Sequence, residues 1–472
     1  MVFSSLVFLF CFLPLFLVCY FIPRKRKIRN IVLLVFSLLF YGYGEPIYLS
    51  LMILSIVVNY FIAIIMDRKN NKKLWLVMCG CQKFNIKKVV VACVFNLGLL
   101  FLFKYSNFFL DSINNVFNLN IKFLSLSLPI GISFYTFQIL TYVVDVYRGC
   151  VPVQKSLINL GCYISAFPQL IAGPIVRYST VNEELERRTE NWKDFNIGIK
   201  RFILGLAKKA ILANEMAYVC DTLFGYSISE IGFIGVLIGG ICYTLQIYFD
   251  FSGYSDMAIG LGRMLGFHYL ENFNFPYMAR SVTDFWRRWH ISLSSFFRDY
   301  VYIPLGGNRV SKGRHIFNLL VVWGLTGLWH GAGWNFILWG LYYGILLILE
   351  KYVFKDFMEK IPKFWSHFIT LGIVVIGWII FYFTDFDKLL MVFKALVGGY
   401  GLGNVKLLFH LQIFKVRTII LFVLACVCST DLVKKFFDKG SLWVDICYMI
   451  LFIVSIIFIL ASSYNPFIYF RF

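Results

Sequence analysis

Charge is what this sequence has little of. Of 472 residues only 15% are Asp, Glu, Lys or Arg, against 60% hydrophobic. Soluble globular chains carry about 25% charged residues, so this chain cannot coat the surface of soluble domains. A soluble enzyme, a disordered chain and a fibrous repeat are excluded together. Zinc spacing is also missing: there is no CxxC pair and no Cys/His cluster, which removes the usual patterns for redox or metal chemistry. GxSxG and HExxH do not occur, so serine-hydrolase and metalloprotease readings have no residues to stand on. Acidic residues are scarce too. Lys and Arg number 45 against 25 Asp and Glu, a net charge of +20. In a membrane protein this excess marks cytoplasmic loops and anionic lipid headgroups, not nucleic acid.

What remains is a succession of apolar runs, which defines an all-α polytopic membrane protein of about ten to twelve spans. It reads as one integral-membrane domain over 1–472, with a motif-dense core at 123–350 and transmembrane helices at 351–472. The run Val2 to Ile22 has no basic residue before it and Arg24-Lys25-Arg26-Lys27 after it. That order is the reverse of a secretory signal and predicts an anchor with its N-terminus outside. Spans follow at 31–44 and 47–66, then a basic cytoplasmic stretch at 67–88. Val89 to Phe103 predicts the next span, with 104–122 an external connection. Residues 123–176 are apolar but broken by Pro129, Gly131, Gly149, Pro168, Gly173 and Pro174. Broken backbone at membrane depth requires burial in protein or a wet cavity, so broken or re-entrant helices around a pore are expected. The charged stretch 177–209 reads as cytoplasmic. Spans near 210–226, 231–251, 316–330, 333–349, 368–384, 417–430 and 442–461 complete the chain and put the C-terminus outside. No internal repeat or inverted symmetry is visible, which disfavours a secondary transporter.

Residues 316–349 hold no Asp, Glu, Lys or Arg over 34 positions. As one helix they would reach about 51 Å, against a hydrocarbon core of about 30 Å. The run must therefore turn back, and the glycine-rich stretch from Gly324 to Trp334 is where it can. Each half is then about fifteen residues, short for a crossing. His330 lies at the break beside Trp329. An intramembrane His is by default a functional candidate, because imidazole takes and gives protons near neutrality.

A second candidate is Asp284 to Arg298, whose spacing predicts an amphipathic helix near the cytoplasmic surface. Trp286, His290, Leu293 and Phe297 make one stripe, and Arg287, Ser294 and Arg298 another face. Asp284 and Arg288 stand four apart in the favourable order. A His on the aromatic stripe is a poor lipid anchor but a fitting active-site partner. In the turn Ile303 to Arg309, Gly306 and Gly307 with Arg309 could meet a phosphate, though no nucleotide fingerprint is matched. Asp250 and Asp256 end a span and can pair with basic residues.

Together, several stretches resemble the membrane-bound O-acyltransferase family, within it the bacterial alginate O-acetylase-like branch. They are Phe167-Pro-Gln-Leu-Ile-Ala-Gly-Pro-Ile175, Tyr248-Phe-Asp-Phe-Ser-Gly-Tyr-Ser-Asp256, Phe285-Trp-Arg-Arg-Trp-His-Ile-Ser-Leu293, Arg298 to Arg309 and Gly327-Leu-Trp-His-Gly-Ala332. The ending 463–472 also resembles that branch. Phe296-Phe297 departs from it, where a Trp-Phe pair is usual. The resemblance implies a funnel of helices whose thin centre brings a cytoplasmic acyl thioester to an acceptor from the outer face. It matches His330 to the family's catalytic His, and His290 to a position held by Asn or His. Substrate contacts are expected from Trp329, Trp286, Arg287, Arg288 and Arg298, and from Asn318, Gln169, Asp250 and Asp256. Acetyl-CoA is the expected donor, and no bound cofactor or metal is expected. The acceptor implied is an extracytoplasmic acetyltransferase partner that serves an exported polysaccharide, or the glycan itself. The expected location is the bacterial cytoplasmic membrane. D-alanyl transfer to teichoic acid, peptidoglycan O-acetylation, and a transporter or flippase are the competing readings.

Overall fold

A computed structural model describes residues 1–67, 86–171, 173–411, 413–437 and 441–461. The described residues form helices and connections, with no strand among them. Among the described residues six helices are long and apolar enough to cross a membrane: Arg26–Gly44, Leu49–Asp67, Ile86–Phe117, Ile228–Met264, Lys363–Tyr382 and Leu442–Ala461. Phe8–Phe21 and Val416–Cys428 are shorter and apolar. The protein is a multi-pass, all-α membrane protein. Most of the basic stretch at 67–88 and the ending 463–472 lie outside the described residues.

The chain divides into two compact units. The first comprises Met1–Phe202 and Ser255–Leu270. Its core is aromatic: Phe167 stands edge-on to Phe16 at 5.0 Å and to Phe12 at 5.4 Å, a geometry that favours aromatic pairs beyond simple burial. The expected broken helices are present. Ile132–Arg148 is buried on nearly every side, its polar Ser133, Thr136, Gln138, Thr141 and Asp145 included. Gly149 ends it at φ 73°, where the Cys150 N–H reaches back to Asp145 O at 2.9 Å. Leu157–Ser165 and the single turn Phe167–Leu170 follow, broken at Ala166 before Pro168.

One sequence expectation is corrected in this unit. The helix from Ile86 does not stop at Phe103 but continues to Phe117 through a π-helical turn, Phe101–Tyr105. Lys104 in that turn is accommodated by a 3.2 Å hydrogen bond to Ser133 Oγ. The charged stretch 177–209 folds into helices. It forms Tyr178–Arg187 and Trp192–Ala207, amphipathic helices whose polar residues are the charges noted in the sequence.

The second unit comprises Ile203–Tyr254 and Glu271–Phe472. Its centre is the charge-free run, which turns back as expected. Helix Lys312–His330 ends at the glycines, and Trp334–Tyr352 returns. The halves are 19 residues each, not fifteen, because both helices run on into the flanking charged residues. At about 28 Å, each is close to a full core thickness. Lys363–Tyr382 packs on the returning arm, with Tyr342 Oη donating to Ile373 O at 2.8 Å.

Candidate active site

The stretch 284–298 is two short helices, Val282–Arg288 and Ile291–Phe297, rather than the single amphipathic helix expected. The break has a local cause. Residues 272–274 run beside it and take over the backbone hydrogen bonds. Ile291 N donates to Asn272 O at 3.0 Å, and Asn274 N donates to Arg288 O at 2.9 Å. His290, between the helices, adopts φ 45°, uncommon for any residue but glycine. The first short helix is anchored at its start: Ser281 Oγ accepts from Asp284 N at 3.0 Å, and Glu350 Oε2 accepts from Val282 N at 2.7 Å. A carboxylate on otherwise orphaned helix N–H groups is a strong cap. It ties the end of the returning hairpin arm to the segment that carries His290.

His290 is 1% exposed and His330 6%. His330 is the last residue of its helix, with Trp329 and Trp339 each 5.0 Å away and Phe381 at 5.3 Å, all edge-on. His290 packs against Phe251 at 4.6 Å and Trp329 at 5.8 Å. The ring of Trp329 therefore stands beside both imidazoles. Both histidines line one cavity of about 240 Å³, together with Trp286, Trp323, Phe297, Tyr302, Thr326, Arg287 and Arg298. Its walls are apolar and aromatic, while Arg287 and Arg298 are exposed residues. Such a space suits the thin, mostly apolar end of a ligand whose charged end stays outside.

The other expected contacts are distributed as follows. Trp286 lines the cavity and packs on Trp323 at 4.7 Å. Trp329 touches both histidines but is not among the lining residues. Arg288 pairs with Asp284 at 2.8 Å and is likewise outside the lining. Asn318 Nδ2 donates to Leu305 O and Gly307 O at 3.2 and 3.1 Å, holding the Ile303 to Arg309 turn. Asp250 pairs with Lys209 at 2.6 Å in the second unit. Asp256 pairs with Arg201 at 2.6 Å, and Gln169 donates to Tyr163 O, both in the first unit.

Sequence reasoning missed Asn272 and Glu350, which set the position of His290. It also missed His315, whose ring nitrogens lie 2.8 Å from Tyr302 Oη and 2.8 Å from Tyr352 Oη. None of the three lies in a chemistry-bearing motif; each acts through a residue distant in sequence.

Known proteins similar to this chain cover most of its length. The model of the membrane-bound O-acyltransferase family matches residues 85–393. A "probable alginate O-acetylase" of Azotobacter vinelandii is 35% identical with both chains fully covered. One from Pseudomonas aeruginosa is 42% identical over 81% of this chain and 72% of the relative. A "peptidoglycan O-acetyltransferase" of Helicobacter pylori is 32% identical over 100% of this chain and 98% of its own. An all-helical membrane protein with two buried histidines on one cavity, matched over most of its length, is placed by these findings: the chain belongs to the membrane-bound O-acyltransferase family.

Proposed function

We propose that this enzyme moves an acetyl group from a cytoplasmic thioester, acetyl-CoA, toward the outer face for O-acetylation of an exported cell-surface polysaccharide. The reading is carried by one observation: His290 and His330 line the same aromatic cavity, and two exposed arginines line it with them. The acyl end of the donor enters the cavity, and Arg287 and Arg298 meet its phosphates. His330 takes the proton of an acceptor hydroxyl. The oxygen attacks the thioester carbonyl, the C–S bond breaks, and the leaving thiolate recovers the proton from His330. Trp286 and Trp329 shape the site; Arg288, Asn318, Asp250, Asp256 and Gln169 contribute by holding the elements around it.

The acceptor is an extracytoplasmic acetyltransferase partner or the glycan itself, in the cytoplasmic membrane of a bacterium, with both termini outside. Full-length similarity to a peptidoglycan O-acetyltransferase supports a second acceptor, peptidoglycan. The test is mass analysis of cell-surface glycans from cells with wild-type protein and with His330→Ala, alongside CoA release in vesicles. Loss of glycan acetyl groups and of CoA release, with the variant still folded, is expected. Unchanged acyl content in cells that make the glycan overturns the proposal. Solute accumulation without CoA release assigns the chain to transport instead.

A further inference from the structure

The hydrogen bonds around His290 decide which of its ring nitrogens carries the proton. Asn272 Oδ1 accepts from the Ser292 backbone N–H at 3.1 Å and from Ser292 Oγ at 2.9 Å. A backbone N–H is always a donor, so the Asn272 atom in this position is the carbonyl oxygen and not the amide nitrogen. The same oxygen lies 3.2 Å from His290 Nδ1. Ser292 Oγ also lies 3.4 Å from Nδ1, but its hydrogen goes to the nearer Asn272 oxygen at 2.9 Å, so the oxygen facing Nδ1 calls for the hydrogen on that nitrogen. A neutral imidazole has one such hydrogen, so Nε2 carries a lone pair. Nε2 is buried and has no hydrogen-bond partner among the described residues. His290 is itself 1% exposed and lines the cavity.

We infer that Asn272 is a positioning residue that holds His290 in its Nδ1–H tautomer, so that His290 receives a hydrogen bond through Nε2 from an O–H or N–H of the molecule in the cavity. A neutral His290 in this tautomer has no hydrogen to give to a developing oxyanion. Fixing a tautomer through the opposite ring nitrogen is a general device for histidines that handle protons. The strained φ of His290 fits this role, because the turn it makes brings Ser292 N and His290 Nδ1 onto one Asn272 oxygen. The identity of the bound molecule rests on the acyltransferase reading; the tautomer does not.

Two measurements test the inference. The full-length protein in nanodiscs, labelled with ¹⁵N at its histidines and assigned with His290→Gln, is read by NMR. A protonated Nδ1 and an unprotonated Nε2 at His290 are expected, and a protonated Nε2 overturns the assignment. The second is a cycle on acetyl transfer. Asn272→Leu is expected to lower turnover at least tenfold in wild type and to cost nothing further beside His290→Gln, with Asn272→Asp restoring most of the loss. An equal cost in both backgrounds shows a merely structural role and overturns the inference. A raised KM for the thioester identifies an N–H of the donor as the group that meets Nε2. A lowered kcat at saturating donor identifies the acceptor hydroxyl. If the wild type transfers no acetyl group, the acyltransferase reading fails while the NMR result still decides the tautomer.

Discussion

Gly327 and Gly340 meet across the hairpin that carries His330. A Cβ added at Gly327 would lie 3.3 Å from the Gly340 Cα and would press on Phe336 O; one added at Gly340 would lie 3.1 Å from the Gly327 nitrogen. Small residues of this kind let membrane helices approach backbone to backbone. Gly340→Ala should therefore cost about 1–3 kcal/mol by overpacking and lower acyl transfer by displacing His330. Gly324, on the same arm, has nothing within 4 Å of an added Cβ. Gly324→Ala should leave thermal unfolding in detergent unchanged. Equal melting of the two variants would refute the close-approach account.

The buried pair Lys209–Asp250, 2.6 Å apart with side chains 5% and 1% exposed, offers a second test. Removing one partner leaves a buried charge uncompensated, at about 3–5 kcal/mol, whereas replacing both by apolar residues is often neutral. Lys209→Met should thus destabilise strongly, and Lys209→Met with Asp250→Leu should recover most of the loss. The double variant also separates the roles of Asp250. Folded and active, it assigns Asp250 to the scaffold; folded and inactive, it assigns the carboxylate to substrate.

Residues 316–349 show why so much of this site was legible. A charge-free run too long for one crossing has to turn, glycines are where it turns, and the His at the turn is conspicuous. His290 was visible as a misfit on an aromatic stripe. Its helix was misjudged, because the break at 289–290 is imposed by Asn272, eighteen positions earlier, through backbone hydrogen bonds with no periodic trace. Glu350 was hidden for the same reason: a carboxylate after an apolar run looks like an ordinary boundary charge, yet it caps a helix 68 positions away. Local pattern reveals spans and misfit residues. It does not reveal which distant group completes a hydrogen bond.

Glu190, outside the spanning segments, gives a pH signature. Burial alone would raise its carboxyl, but hydrogen bonds from Arg26 and Tyr20 and the charges of Arg26 and Arg29 outweigh it. They hold the group at about 2. A depressed carboxylate contributes stability above its unfolded value, and loses it as pH falls through the folded one. Wild-type protein should therefore lose stability between about pH 4.5 and 2. Glu190→Gln should cost on the order of 2–3 kcal/mol near neutral pH, with the gap closing across that window. Detergent melting curves at stepped pH measure it; a gap that stays constant refutes the assignment.

Arg287 and Arg298 decide whether the cavity mouth is the donor's entrance. Both are exposed and both line the cavity. They differ in one respect: Arg298 Nε donates to Asp299 at 2.7 Å, so part of its charge is already answered. Arg287→Gln should accordingly raise the KM for acetyl-CoA more than Arg298→Gln does, by about five- to tenfold, the scale of one partly screened charge contact. Neither acts on the reacting carbonyl, so kcat should stay within about twofold, the pattern of uniform binding loss. Exposed charges are screened by salt, so the wild-type KM should climb with ionic strength and the Arg287→Gln KM climb less. A KM indifferent to both arginines would put the donor's phosphates elsewhere, even with His330 confirmed as the base.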